Sequence, residues 1–393
     1  MSKRADSPLS SSPYGDAWDL LVDDGAGAAE GLALDETLMG RVSREVADPR
    51  PALRLYTYAN HAALVGRYQT LAAEVDLQAC AETDTAFSRR PTGGGAIVMG
   101  EGQLGVALVL PARAARPKEL IEELGQGVVA GLATLGIEAE FGGKNDLISD
   151  GKKIAGLGLY ADAFGAMLFH TSLLVDLDVA FMLQVLRIPA AKLADKGVAA
   201  VGERITTVRR QLGTGIPMDE VRAAIANGFA RQFKAAMDPG HPTVAEEASA
   251  EGLVVTKYAG DAWLHEQQAQ PDGSGSATFR SPEGTVRVYV AAQGNLTKSV
   301  MFSGDFNNLP HGLKHLEAAV RWRRLEPEAV AAAVAESREA FGDDLGWRND
   351  EDVVRAVLDA GARAQERSVA HPLRAEGSCY FPEPTHAEAR SSK

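Results

Sequence analysis

Apolar residues recur along this chain with two different periods, and the change of period orders the elements. Residues 53–58 (LRLYTY) alternate enough to form a half-buried strand, and 62–65, closed by Gly66, read as a second strand followed by a turn. Residues 105–111 (GVALVLP) form a short apolar run ended by proline, the pattern of a buried strand. The spacing then lengthens to three and four. Leu120, Ile121, Leu124, Val128, Leu132 and Leu135 share one helical face, Pro117 suits the first turn, and Gly136 can stop the helix. Such a stripe has to cover a sheet.

Periodicity disappears at 239–252 (PGHPTVAEEASAEG), where turn formers, acids and small residues read as an interdomain linker. Beyond it, 284–306 predicts two strands joined by a Gly294-Asn295 turn. Leu313, Leu316 and Val320 then lie on one helical face, Pro327 opens a helix carrying Val330 and Val334, and Val353, Val354, Val357 and Leu358 mark a last one. The expected division is a flexible leader at 1–16, a first domain at 17–240, a linker at 241–252, a small α+β domain at 253–345, and a helix with a polar tail at 346–393. That agrees with a length of 393 residues at about 150 per domain.

With 45% hydrophobic and 24% charged residues the chain can bury a core. Its net charge of -13 argues against nucleic acid or an anionic membrane as partner, so any anion site must be local. The basic start lacks an apolar segment behind it, and a cytoplasmic location is expected. The two cysteines, Cys80 and Cys379, offer no metal or disulfide spacing.

Two stretches carry candidate chemistry. In 89–100 (RRPTGGGAIVMG) two arginines precede three glycines, each of which forfeits roughly 0.5–1 kcal/mol relative to alanine inside a regular element. A sharp turn or a ligand against the main chain would justify them, and the arginines favour a ligand. In 144–160 (KNDLISDGKKIAGLGLY) Gly151, Gly156 and Gly158 bracket Lys152 and Lys153, so a tight turn presents a lysine. The P-loop order is absent, and taken alone this is a solvated hairpin. His170, opening an apolar strand, reads by itself as a satisfied core residue.

Taken in order, Gly66-Arg67-Tyr68-Gln69, Arg89-Arg90-Pro91-Thr92-Gly93-Gly94-Gly95-Ala96, Lys144-Asn145-Asp146, Gly151-Lys152-Lys153-Ile154-Ala155-Gly156, His170 and Lys192-Leu193-Ala194-Asp195-Lys196-Gly197-Val198 resemble the lipoate-protein ligase A family over about residues 18–240. Lys257-Tyr258 with Trp263, and Phe302-Ser303-Gly304-Asp305-Phe306, resemble its accessory domain. The resemblance implies an α+β protein: a mixed β-sheet catalytic domain of the biotin/lipoate ligase type plus a small α+β C-terminal accessory domain. It implies a reaction in two halves, in which lipoate and ATP give lipoyl-AMP and pyrophosphate, and a carrier lysine then takes the lipoyl group.

Lys153 would bridge the carboxyl group and the α-phosphate as the catalytic cation. Arg90, Thr92, Gly93, Gly94, Gly95, Ala96, Asn145, Gly156 and His170 would bind lipoate and nucleotide, and Asp146 would hold Mg²⁺. Lys192, Lys196 and Gly197 belong to a loop that would cover the adenylate. The implied partner is a lipoyl-domain carrier, such as a 2-oxoacid dehydrogenase E2, a glycine-cleavage H protein or a related lipoate-binding protein, met by a monomer. Arg204, Arg209 and Arg210 would form the docking patch for an acidic carrier.

The chain departs from the family where an aromatic residue, His-Asp and Gly-Asn-Leu usually follow the glycines; here Val98-Met99-Gly100-Glu101-Gly102-Gln103-Leu104 stand instead. Two alternatives compete with the ligase. An ATP-independent octanoyl or lipoyl transferase of the same superfamily would need a nucleophilic cysteine downstream of the lysine motif, yet none lies between Cys80 and Cys379. A non-catalytic lipoate-binding protein would not need both Lys153 and Asp146.

Overall fold

The computed structural model describes residues 13–143, 145–187, 202–267, 274–282, 284–342 and 344–370. They fall into two compact units, the larger comprising positions up to 267 together with Gly304–Asn308, the smaller 268–303 and positions from 309 onward. No helix among the described residues is long and apolar enough to cross a membrane.

The larger unit contains β1 (Ala17–Ala26), β2 (Ala52–Tyr58), β3 (Ala62–Val65), β4 (Ala86–Arg89), β5 (Ile97–Met99), β6 (Gln103–Pro111), β7 (Glu140–Gly142), β8 (Asp146–Ser149), β9 (Lys152–Ala161), β10 (Ala166–Leu174) and β11 (Ala236–Pro239). Eight of these form one sheet in the order β11-β1-β2-β6-β10-β9-β8-β7, while β4-β3-β5 form a small second sheet. The large sheet is mixed: β1 runs parallel to β11 and β2, whereas β2, β6, β10, β9, β8 and β7 pair antiparallel in sequence.

Alternation along β2 and β6 assigns the two faces. Leu53, Leu55, Leu104, Val106, Leu108 and Leu110 pack against α2 (Pro117–Thr134) and α3 (Met218–Phe233), which follow α1 (Ala28–Leu38) in the chain. On α2 the expected stripe is confirmed, with Leu124, Val128 and Leu132 completely buried. Each such side chain contributes about 1.5–3 kcal/mol of transfer free energy. The opposite face carries Ala52, Tyr56, Tyr58, Ala107 and Val109 and is covered by Leu32 and Leu38 of α1 and by Leu64 and Met99 of the small sheet.

The smaller unit has an antiparallel sheet, β12 (Ser274–Ser281), β13 (Gly284–Gln293) and β14 (Leu296–Gly304), with the predicted Gly294-Asn295 turn between its last two strands. Val286, Val288 and Val290 are wholly buried there. Helices α5 (His311–Val320), α6 (Pro327–Phe341) and α7 (Asp350–Ala370) complete the unit.

Several expectations change. The strand at 53–58 is buried along its whole length, because both sheet faces are covered. The segment expected as a linker contains α4 (Val244–Leu253), which packs on α1; Thr243 and Glu246 form a reciprocal cap at its start. Tyr14, inside the expected leader, is buried against Phe233 with ring centroids 6.0 Å apart. Lys257, Tyr258 and Trp263, expected in the C-terminal domain, belong to the larger unit, as does Gly304–Asn308.

Candidate functional site

The floor of the site is a patch of the large sheet from which side-chain bulk has been removed. Strand register aligns Tyr56, Gly105, Ser172 and Gly156 in one row across β2, β6, β10 and β9; two residues away, Arg54, Ala107, His170 and Gly158 form another row on the same face. Glycine and alanine in the middle of both rows leave space above the sheet, and the turn at 90–96 closes over it.

That turn explains the glycine triplet. Gly94 has φ +92°, and its N–H donates to the Phe306 carbonyl at 2.7 Å. A Cβ on Gly93 would stand 2.0 Å from the same carbonyl oxygen. Arg90, nearly buried, donates to the carbonyls of Leu64 (2.6 Å), Gly93 (3.2 Å) and Gly95 (2.8 Å), and burial lowers its pKa to about 10. Arg89 is fully buried and donates to the carbonyls of Gly66, Arg67, Gln69, Trp263 and Leu264. The two arginines thus hold the main chain of the turn. Gln69 joins them, accepting from Gly66 N–H and donating to Asp305 Oδ1, both at 2.9 Å.

Lys153 enters from the β8–β9 hairpin, whose Asp150-Gly151 turn has positive φ at both residues (50° and 71°), the conformation a tight two-residue hairpin needs. Its N–H donates to Arg204 O and its carbonyl accepts from Thr206 N–H, each at 2.9 Å, so its backbone is fixed on both sides. Its Nζ pairs with Asp146 Oδ1 at 2.7 Å, with each side chain about one-third exposed (36% and 35%). The Nζ would lie 3.2 Å from a Cβ on Gly156, so that glycine makes room for the ammonium. Asn145 lines the same space and donates to Leu157 O at 3.0 Å.

Below the turn sits a buried polar group. Asp35, wholly buried, contacts Arg54 Nη1 (2.7 Å), Tyr56 Oη (2.9 Å) and His170 Nε2 (2.8 Å). Arg54 also reaches Asp23 and Gly31 O. Burial pushes the Asp35 carboxyl up, but Arg54 and His170 outweigh it and leave the pKa below the ordinary value.

Two cavities meet at Lys153. One, of about 100 Å³, runs under the glycine turn past His170 to Leu32, Tyr56 and Tyr58. The other, of about 340 Å³, opens toward Val98, Leu177, Met182, Leu186 and Ile205, with Arg204 and Asp305 at its polar side. Arg90, Thr92, Gly93, Gly94, Gly95, Ala96, Asn145, Lys153, Gly156 and His170 all line the first cavity, and Asp146 reaches it through Lys153. Lys192, Lys196 and Gly197 lie outside the described residues. The basic patch is partly neutralised, since Arg209 pairs with Asp176 at 2.5 Å. Asp35, Arg54, Tyr56, Tyr58 and Asp305 were not expected here. Their one signal is Arg54 among apolar neighbours at period two with Tyr56 and Tyr58. No cluster of three metal-ligating side chains occurs among the described residues. Asp146 beside a cation suits Mg²⁺ only when phosphate oxygens supply further ligands.

A mixed sheet of this topology, carrying a lysine and carboxylate on one hairpin beneath a glycine turn, is a catalytic domain of the lipoate ligase type. The chain belongs to the lipoyl protein ligase A/B catalytic domain family, which it matches over residues 27–230. It is 30% identical to an octanoyltransferase LipM of Symbiobacterium thermophilum, covering 63% of this chain and 97% of that protein. It is 29% identical to lipoate-protein ligase A subunit 1 of Thermoplasma acidophilum, over 62% and 94% of the two chains. Among solved structures it resembles a bipartite lipoate protein ligase from Thermoplasma acidophilum, part of an archaeal lipoylation system (28% identity, TM-score 0.59, 65% of this chain and 98% of that one). It also resembles a lipoate-protein ligase A bound with ATP (26% identity, TM-score 0.57, 64% and 99%).

Proposed function

We propose that this protein is an ATP-dependent lipoate-protein ligase. In the first step a carboxylate oxygen of the acyl substrate attacks the α-phosphorus of ATP, and pyrophosphate leaves with the electron pair of the broken P–O bond. In the second, the amine of a carrier lysine attacks the acyl carbonyl, AMP leaves, and the amine gives up a proton. The carrying observation is that, among the described residues, Lys153, the cation held at the junction of two cavities, has no thiol beside it. The relatives divide between octanoyltransferases and ligases, and a transferase working through a thioester needs a cysteine at this place. Cys80 is buried in the cluster with Val75, Val98 and Val185, and burial, then Asp76, raises its thiol pKa, the opposite of what a nucleophile requires.

The acyl group occupies the cavity under the glycine turn and the nucleotide the wider one, so that both anions converge on Lys153. Asp146 orients the ammonium when the site is empty and would hold Mg²⁺ when nucleotide is bound, where the ion supplies charge neutralisation at the phosphates. The acceptor is a lysine of a lipoyl-domain carrier protein. The test is pyrophosphate release from ATP and Mg²⁺ with and without lipoate. Lipoate-dependent release is expected from the wild type, reduced roughly 10²–10³-fold or more in Lys153→Ala. Folded wild type that releases none, yet moves octanoyl groups between carrier proteins, would instead establish the transferase.

A further inference from the structure

Where β1, β2 and β10 end and β6 begins, the larger unit gathers acids that the reaction described above does not use. Two cavities there, of about 470 and 670 Å³, share Ala59 and Glu101 and form one trough. Asp84, Asp176 and Asp178 line the first, Asp24 and Asp219 the second, and Glu101 both. Like charges around open space repel one another, and the one arginine in the lining, Arg222, is already bonded to Asp24 and Asp219. Asp176 is matched by Arg209 at 2.5 Å. Asp84, Glu101 and Asp178 are exposed and have no cationic partner among the described residues.

A second observation points to a ligand. Gln103, 3% exposed, lines the trough and donates from Nε2 to Asp176 O at 2.6 Å. A carbonyl oxygen only accepts, so the amide orientation is fixed and Oε1 is left over, with no partner among the described residues. A buried acceptor without a donor costs free energy, and among carboxylates the donor that suits it is a cation. Glu101, Gly102 and Gln103 also stand where this chain leaves the family pattern. Gly102 is required here, since a Cβ would meet Asp176 O at 3.1 Å.

Size and sign define the ligand. No three metal-ligating side chains converge among the described residues, and cavities this wide admit several side chains rather than one ion. The trough borders the reaction site: it shares Leu177 with the wider cavity at Lys153 and Tyr58 with the narrower one. Resting on the acyl-ligase reading above, we propose that this trough is the docking surface for a lysine- or arginine-bearing segment of the carrier protein, held beside the acyl-adenylate. Its charge is opposite to that of the patch at Arg204, Arg209 and Arg210, so the carrier meets this surface through basic side chains. The net charge of -13 steers such a segment toward it.

Calorimetric titration of the full chain with N-acetylated, C-amidated pentaarginine tests the surface, using a probe with no amine to acylate. Wild type is expected to bind it, and Glu101→Lys to bind it roughly three- to tenfold more weakly. Asp84→Asn, which keeps a residue tolerant of the φ of 50° there, should lose less in the same direction. Glu122→Lys on α2 lines neither cavity, changes the net charge as Glu101→Lys does, and is expected to match the wild type. Pentaarginine should also compete with an apo E2 lipoyl domain or apo glycine-cleavage H protein, whichever the wild type modifies, and leave pyrophosphate release unchanged. No binding, or equal losses in Glu101→Lys and Glu122→Lys, would overturn the surface while leaving the ligase reading intact. Binding without competition would overturn the carrier as its occupant. Specific binding by a wild type that releases no lipoate-dependent pyrophosphate would overturn the ligase reading, and with it the carrier, but not the site for a basic segment.

Discussion

The two faces of the large sheet use the same strands for different ends. On one face Leu53 and Leu55 of β2 and Leu104, Val106, Leu108 and Leu110 of β6 pack against α2 and α3. On the other, the alternate residues of the same strands and of β10 are Arg54, Tyr56, Tyr58, Gly105, Ala107 and His170. The first face gains transfer free energy without needing any particular partner atom. The second buries charge, which is tolerable only while every member keeps its partner, and it gives up bulk to leave room for a ligand. Because side chains alternate, each face could specialise without disturbing the other.

Breaking the polar face should have the largest effect. Asp35→Ala leaves Arg54 and His170 without their shared carboxylate and is expected to lower stability by about 3–5 kcal/mol in denaturant unfolding; a loss under about 1 kcal/mol would mean Arg54 is adequately held by Asp23 alone. Breaking the apolar face should come next. Leu124→Ala is expected to cost about 3 kcal/mol while the activity per folded molecule stays that of the wild type. A sharper contrast comes from Gly156→Ala: its methyl group meets Lys153 Nζ, so pyrophosphate release should fall about tenfold with unfolding unchanged.

The smallest effect lies away from both faces, at the cap of α4. The hydrogen bond from Arg41, against a smaller opposing effect of burial, holds the Glu246 carboxyl at about 2, from an ordinary 4.5. A depressed carboxylate stabilises the fold above its unfolded pKa. The contribution, about 1 kcal/mol for a partly exposed pair, should therefore be intact above pH 4.5 and fade as pH falls toward 2. Glu246→Gln should remove that dependence, measured as unfolding free energy against pH.

Local signals were legible and long-range ones were not. The α2 stripe, the 105–111 strand and the 294–295 turn follow from spacing alone, because each depends on residues a few positions apart. The motif residues 90, 92–96, 145, 153 and 170 were legible through resemblance, and they converge on one cavity. The α4 helix was missed although its signature, Thr243 three residues before Glu246, is printed in the chain; its small residues hide the periodicity, and only Ala250 is buried. Asp35 carries no signal in the sequence, since nothing near it reveals Arg54 or His170, the latter 135 residues away. The half-buried reading of β2 failed for the same reason: its polar residues face a buried counterion rather than water.

Gly304–Asn308 carries a consequence for how the molecule is made. On the ribosome, the glycine turn at 93–95 emerges more than 200 residues before Phe306, the residue whose carbonyl takes the Gly94 N–H. Until that much more chain has been synthesised, the turn has no acceptor for its Gly94 N–H and Gln69 lacks Asp305. The nascent larger unit can bury its hydrophobic face early, but its turn is finished only after all three strands of the smaller unit's sheet have been translated.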